Sequence, residues 1–182
     1  MPRYIAFLRA VNVGGRIVKM DALRGHFEAE GFTNVETFIA SGNVIFDTKA
    51  KASPALESRI EGALKKALGY DVPTFVRPLA AVAVAAERKV FPDTDVAPAG
   101  ALLVGFLRGP LDAAAQKSLA ALNSDLHRFA APGAELYWLL HMKQSESKLT
   151  PGQIERALGG PTTMRSIVSL RKLVAKHCAT GG

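Results

Sequence analysis

Val35-Glu36-Thr37-Phe38-Ile39-Ala40-Ser41-Gly42-Asn43-Val44-Ile45-Phe46-Asp47 reads as two strands, Val35 to Ala40 and Val44 to Asp47, folded back on each other across the turn Ser41-Gly42-Asn43. What flanks this hairpin sets the architecture. Upstream lies a strand from Arg3 to Arg9, followed by Met20, Leu23 and Phe27 at helical spacing, with Gly31 as the stop. Downstream, a helix runs from Pro54 to Leu68. Ser53 is its N-cap, Leu56, Ile60, Leu64 and Leu68 form its apolar stripe, and Gly69 is its stop. A strand from Val72 to Arg77 closes the set. The order is β-α-β-β-α-β, the split βαβ pattern of ferredoxin-like folds.

The same order recurs after a short helix (Pro78 to about Lys89) and a Pro- and Asp-bearing connection, Phe91 to Gly100. It runs through strand Ala101 to Leu107, helix Leu111 to Leu122, hairpin strands Leu126 to Ala130 and Glu135 to His141, and helix Pro151 to Leu158. A short extended piece and a terminal helix from about Ser166 follow. Two sequence echoes accompany the repeat: Phe7-Leu8-Arg9-Ala10 with Phe106-Leu107-Arg108-Gly109, and Phe38 to Gly42 with Phe129 to Gly133. The expected fold is α+β: two tandem ferredoxin-like (α/β-plait) subdomains with antiparallel sheets. Their expected bounds are 1–78 and 101–182, with a helix and linker over 79–100.

The chain has 182 residues, of which 48% are hydrophobic, enough for a sizeable core without staples. Its single cysteine, Cys178, can form no internal disulfide, which suits a cytoplasmic setting, and reads as a half-buried small hydrophobe. Arg9 and Asn12 cut the first apolar run too early for an export signal, and the runs Leu79 to Ala86 and Ala101 to Phe106 fall far short of the ~20 residues a bilayer needs. The formal net charge is +7, and both ends of the chain are basic. Arg3, Arg9, Arg16 and Lys19 precede the first acid, Asp21, and no acid follows Glu155. Such ends attract polyanions through counterion release.

A strand ending in the glycine-rich turn Arg9 to Gly15 and running on to a helix supplies unshielded backbone N–H groups beside cations. In a split βαβ sheet the first strand lies beside the third, which brings Asn12 to Gly15 towards Ser41 to Asn43. Arg9, Asn12, Gly14, Gly15, Lys19, Ser41, Gly42 and Asn43 are therefore candidate contacts for an oxyanion. Gly14-Gly15 is no dinucleotide or phosphate-loop fingerprint, because the third glycine and the lysine of those motifs are missing. His26, His127, His141 and His177 show no metal-ligand spacing, so no metal is expected, and no cofactor either. Glu57, Glu61 and Glu87 read as solvated helix residues, leaving no acid–base pair. Phe7, Phe38 and Phe46 fall on strands, where RNA-binding sheets carry stacking rings, and core is their expected fate.

The segments Leu8 to Gly15, Lys19 to Leu23 and Ile39 to Val44, with Ser147-Lys148-Leu149-Thr150 and Thr162 to Ser166, resemble the bacterial domain-of-unknown-function family 1697. The resemblance implies a pair of α/β-plait subdomains and supplies no activity. Ala10, Ala40, Ser166 and Ile167 depart from the family's usual residues, while Ser169 keeps a hydroxyl. Ser147, Lys148, Thr163 and Arg165 form a second hydroxyl-bearing cationic group, with Thr163 also a candidate cap for the terminal helix. The expected function is binding of a phosphate-bearing ligand, nucleic acid foremost. The alternative is an enzyme or sensor for a small phosphorylated or carboxylated metabolite bound between the subdomains. The sequence leaves catalysis and oligomeric state open and implies no membrane partner.

Overall fold

The computed structural model describes residues 1–12, 14–39 and 42–178. It contains two four-stranded antiparallel sheets, each flanked by helices. The first is built from β1 (Arg3–Leu8), β2 (Thr33–Thr37), β3 (Asn43–Asp47) and β4 (Thr74–Pro78) in the order β2-β3-β1-β4, with helices α1 (Met20–Ala29) and α2 (Pro54–Leu68). Helices α3 (Leu79–Glu87) and α4 (Asp93–Val96) follow. The second sheet has β5 (Ala101–Phe106), β6 (His127–Ala130), β7 (Glu135–Leu140) and β8 (Thr163–Ser166) in the order β6-β7-β5-β8. Its helices are α5 (Ala113–Ala120), α6 (Pro151–Leu158) and α7 (Ile167–Cys178). The chain divides into two compact units, Met1–Val82 with the end of α7 from Lys176, and Ala83–Ala175.

Local chemistry sets the helix ends. The Ser53 hydroxyl accepts from Leu56 N–H at 3.2 Å and Pro54 opens α2, while Gly69 ends it at φ 83°. In α6 the Thr150 hydroxyl and the Gln153 side chain form a capping box, Pro151 opens the helix and Gly159 ends it at φ 75°. Leu23 and Phe27 of α1 and Leu56, Ile60 and Leu64 of α2 pack on Tyr4, Ala6, Leu8, Val44, Phe46 and Val76 of the first sheet. Leu119 of α5 and Ile154 and Leu158 of α6 pack with Leu103, Phe129, Leu136, Trp138 and Leu140 of the second. Ile5, Phe7, Ile45 and Phe75, alternating with the helix-facing residues, are also fully buried. Phe7 and Phe46 are therefore core, and neither serves as an open stacking ring.

Glu57 and Glu61 do not stay in solvent. β4 is an edge strand, and its outward N–H groups need acceptors. Glu57 Oε1 takes Val76 N–H at 2.9 Å, and Glu61 Oε1 takes Thr74 N–H at 2.8 Å. In the second unit Glu155 Oε1 takes Thr162 N–H at 3.3 Å, beside edge strand β8. Glu87 is the exception, exposed with Arg171 at 3.6 Å.

The register relates the repeats. Leu8 N–H bonds Gly42 O at 2.8 Å, and Leu107 N–H bonds Ala134 O at 2.9 Å. Phe7 faces Asn43 and Phe106 faces Glu135. The echo Phe7-Leu8-Arg9 with Phe106-Leu107-Arg108 thus matches the structure. The echo of Phe38–Gly42 with Phe129–Gly133 does not, because the register aligns Gly42 with Ala134. The hairpin arm expected over Val35 to Ala40 is the strand Thr33–Thr37, because Ile39 turns to φ 56° and leaves the ladder. The strand expected from Val72 begins at Thr74, and the connection after Phe91 holds the short helix α4. Cys178, expected half-buried, is exposed. No helix among the described residues is long and apolar enough to cross a membrane.

Candidate functional site

Gly42 O accepts from Leu8 N–H, and a Cβ added at Gly42 would stand 3.0 Å from Val11 Cγ1 and 3.2 Å from Leu8 O. The hairpin tip and the end of β1 are therefore in contact, as the split βαβ order requires. Beyond Leu8 the chain leaves the sheet. Arg9 N–H bonds Pro73 O at 2.9 Å, Ala10 adopts φ 56°, and Val11 is buried. Asn12 Oδ1 then accepts from Val18 N–H at 2.7 Å and ties the loop across its base. Gly14 and Gly15 have φ 66° and 81°, and open space surrounds the position of a Cβ on either.

Tyr70 supports the loop from below. Its hydroxyl donates to Val11 O at 3.0 Å, and the Arg16 guanidinium lies 4.1 Å above the centre of its ring. Lys19 occupies the N-cap position of α1 and makes no side-chain cap, so its side chain leaves the first N–H groups of the helix to other acceptors. Asn12, Gly14, Gly15, Arg16, Ile17 and Lys19 are exposed and Arg9 is half-buried. No acid lies among them. Asp21, in the first turn of α1, has Arg24 at 3.4 Å.

The remaining candidates fall elsewhere. Asn43 is only 2% exposed and donates from Nδ2 to Phe38 O at 2.9 Å, which closes the hairpin. Ser41 lies outside the described residues. Thr163 and Arg165 share one face of β8, where Arg165 Nη1 donates to Thr163 Oγ1 at 2.7 Å and to Met164 O at 2.9 Å. Arg165 is buried, and desolvation pushes its pKa down to about 10. Thr163 does not cap α7. Ser166 does, its hydroxyl accepting from Ser169 N–H at 3.1 Å. Ser147, in the loop before α6, accepts from Leu149 N–H at 3.2 Å, and Lys148 beside it is exposed.

Sequence reasoning missed a charged cluster at the opposite end of the first sheet. A hollow of about 830 Å³ is bordered there by Arg3, Asn34, Glu36, Asp47, His177 and Cys178, among others. Arg3 reaches Asp47 at 3.0 Å and Glu36 at 2.9 Å, Asn34 donates to Asp47 at 2.8 Å, and His177 Nδ1 lies 3.7 Å from Glu36. Burial is the main cause that lowers the His177 pKa, against the opposing pull of Glu36. The one sequence signal was the cross-strand pair Arg3–Asp47, legible only with the β1–β3 register in hand. Two carboxylates already occupy Arg3, so this end does not favour an anion. Among the described residues no group of three or more His, Cys, Asp or Glu could hold a metal ion.

The second repeat offers a control. The end of β5 borders a hollow of about 340 Å³ lined by Leu107 to Asp112 and Leu158 to Pro161. There Asp112 caps α5, accepting from Ala115 N–H at 2.8 Å. A carboxylate thus occupies the position that Lys19 holds in the first repeat.

Comparison with known proteins gives a family and a fold. The model of the family described as "Protein of unknown function (DUF1697)" matches residues 1–137. The solved structure titled "The structure of conserved bacterial protein SP0830 from Streptococcus pneumoniae" aligns with a TM-score of 0.74 at 20% identity, over 97% of this chain and 98% of that one. No curated protein matches.

Proposed function

We propose, for a chain that belongs to the family described as protein of unknown function (DUF1697), that the loop from Arg9 to Lys19 binds the phosphate groups of a nucleic acid. One observation carries the reading. The first repeat ends β1 in an exposed, acid-free, cationic loop opening onto a helix with no side-chain cap, whereas the second closes the matching helix with Asp112. Backbone N–H groups at left-handed glycines, the α1 terminus and the charges of Arg9, Arg16 and Lys19 all favour an anion. Asn12 and the Val11–Gly42 contact hold the loop in shape, and Asn43 holds the hairpin. An exposed loop fits a phosphate backbone that lies across it. Because Phe7 and Phe46 are core, the binding does not use a ring-bearing sheet face.

The test is fluorescence anisotropy of labelled single- and double-stranded RNA and DNA, over a salt series, with wild type and the Arg9→Ala/Lys19→Ala variant. Binding at physiological salt that weakens in the variant, with a shallower salt dependence by about two released counterions, supports the reading. Binding that ignores both substitutions overturns it. A small phosphorylated metabolite as the ligand would instead appear as protection against heating that the double variant loses.

A further inference from the structure

Arg16 does more in this loop than add a charge. Its guanidinium carbon stands over the Tyr70 ring, 4.1 Å from the ring centre, and the residue is exposed. Tyr70 is itself fixed, because its hydroxyl is held by Val11 O at 3.0 Å. Val11 is buried against the hairpin tip at Gly42. The ring, the guanidinium and the loop backbone therefore form one stack with a protein-facing side and a solvent-facing side. Next to it stands Ile17, which is 86% exposed, an aliphatic side chain with no core to fill. A planar, weakly hydrated cation laid on an aromatic ring is a surface on which a nucleobase stacks, and an apolar neighbour adds to it.

We infer that Tyr70 and Arg16 form a preassembled stacking platform for an unpaired nucleobase, set beside the phosphate contacts, so that the site selects single-stranded nucleic acid. This rests on the nucleic-acid reading above and adds to it the part of the ligand that is recognised. Bases in a duplex are already stacked on their neighbours and gain nothing from the platform. Bases of a single strand do gain, and any base suits, because each has a π face. Lysine at position 16 would keep the charge and lose the plane, which separates stacking from phosphate attraction.

The experiment compares a labelled single-stranded oligonucleotide with an abasic sugar-phosphate strand of the same length, using wild type, Arg16→Lys, Tyr70→Leu and Tyr70→Phe. Wild type should bind the base-bearing strand roughly 5- to 150-fold more tightly than the abasic one. Arg16→Lys should lose most of that ratio, and because the ratio compares two strands with the same backbone, any change in phosphate attraction cancels from it. Tyr70→Phe, which keeps the ring, should retain more of the ratio than Tyr70→Leu. If Tyr70→Leu fails to fold, the exposed Arg16→Lys change still decides the matter. Equal binding of both strands by wild type overturns the platform and leaves the phosphate site standing. A ratio that survives Arg16→Lys also overturns it. Failure to bind either strand at physiological salt overturns the nucleic-acid reading and the platform with it.

Discussion

Replacing Gly42 by alanine tests the contact that joins the hairpin tip to the loop. The residue has φ 79°, and a Cβ there would meet Val11 Cγ1 at 3.0 Å, Leu8 Cβ at 3.1 Å and Leu8 O at 3.2 Å. The left-handed backbone alone costs an L-residue about 1–2 kcal/mol. Pushing apart packed neighbours costs about a further 1–3 kcal/mol, because Leu8 sits in the sheet and its carbonyl cannot turn aside. The expected loss is the sum, about 2–5 kcal/mol. Gly15→Ala provides the reference, since φ is 81° there but open space surrounds the new methyl, so only the backbone cost of about 1–2 kcal/mol applies. Urea unfolding followed by far-ultraviolet circular dichroism reads both. Gly42→Ala should lower the midpoint by about 1–2 M at unchanged slope, and Gly15→Ala by clearly less. Equal losses in the two variants would refute the close-approach argument. Nucleic-acid binding should weaken in Gly42→Ala below its unfolding midpoint, because the same shift displaces Val11.

His127 and Glu57 give two further outcomes. His127 Nδ1 accepts from Trp138 Nε1 at 3.2 Å, and burial lowers its pKa below 6.5, so protonation removes the acceptor. The fluorescence of Trp138, the sole tryptophan, should titrate with a midpoint under 6.5 and cease to do so in His127→Asn. The unfolded imidazole takes its proton near 6.5 and the folded one only lower. Stability should therefore be flat above that pH, fall as pH drops through the folded pKa, and level off beneath it. Glu57→Ala strands the buried Val76 N–H and should cost about 1–3 kcal/mol in the same urea assay, whereas Glu57→Gln keeps an acceptor and should cost less.

The split βαβ order was legible because its signals are local. Ser53-Pro54 and Gly69 bound α2 at the residues the sequence indicates, and Pro151 to Leu158 is a helix as read. The hairpin boundaries were not legible, since Phe38 and Ile39 have strand-like side chains and their departure depends on the tertiary turn at Gly42. Glu57 and Glu61 were misread for a related reason. On a helix their charge suggests solvent, and only the edge position of β4 makes them acceptors for its outward N–H groups. The strand-end loop was found because glycines and cations stand together in sequence. Tyr70 was not, because it lies 59 residues from the carbonyl that fixes it. Arg165 was read as a ligand contact from its type, and burial on β8 is a property of the sheet that no local pattern carries.

The two repeats differ where their chemistry would matter most. Each follows its first strand with an arginine, Arg9 or Arg108, and passes into a helix packed on the sheet. In the second, proline at 110 and the Asp112 cap satisfy the helix terminus with the protein's own carboxylate, and a bound anion would have to displace it. The first instead places Lys19 at the cap, where a cation sits against the positive end of the helix dipole, an unfavourable placement by about 0.3–1 kcal/mol. Among the described residues of the loop before it, Ala10, Gly14 and Gly15 have positive φ angles. A loop shaped only to connect β1 to α1 would gain stability from an acidic cap, as the second repeat does. If a phosphate binds there as proposed, its charge adds to that of Asp21 in the first turn of α1 and offsets Lys19, so what weakens the free loop would strengthen the bound one.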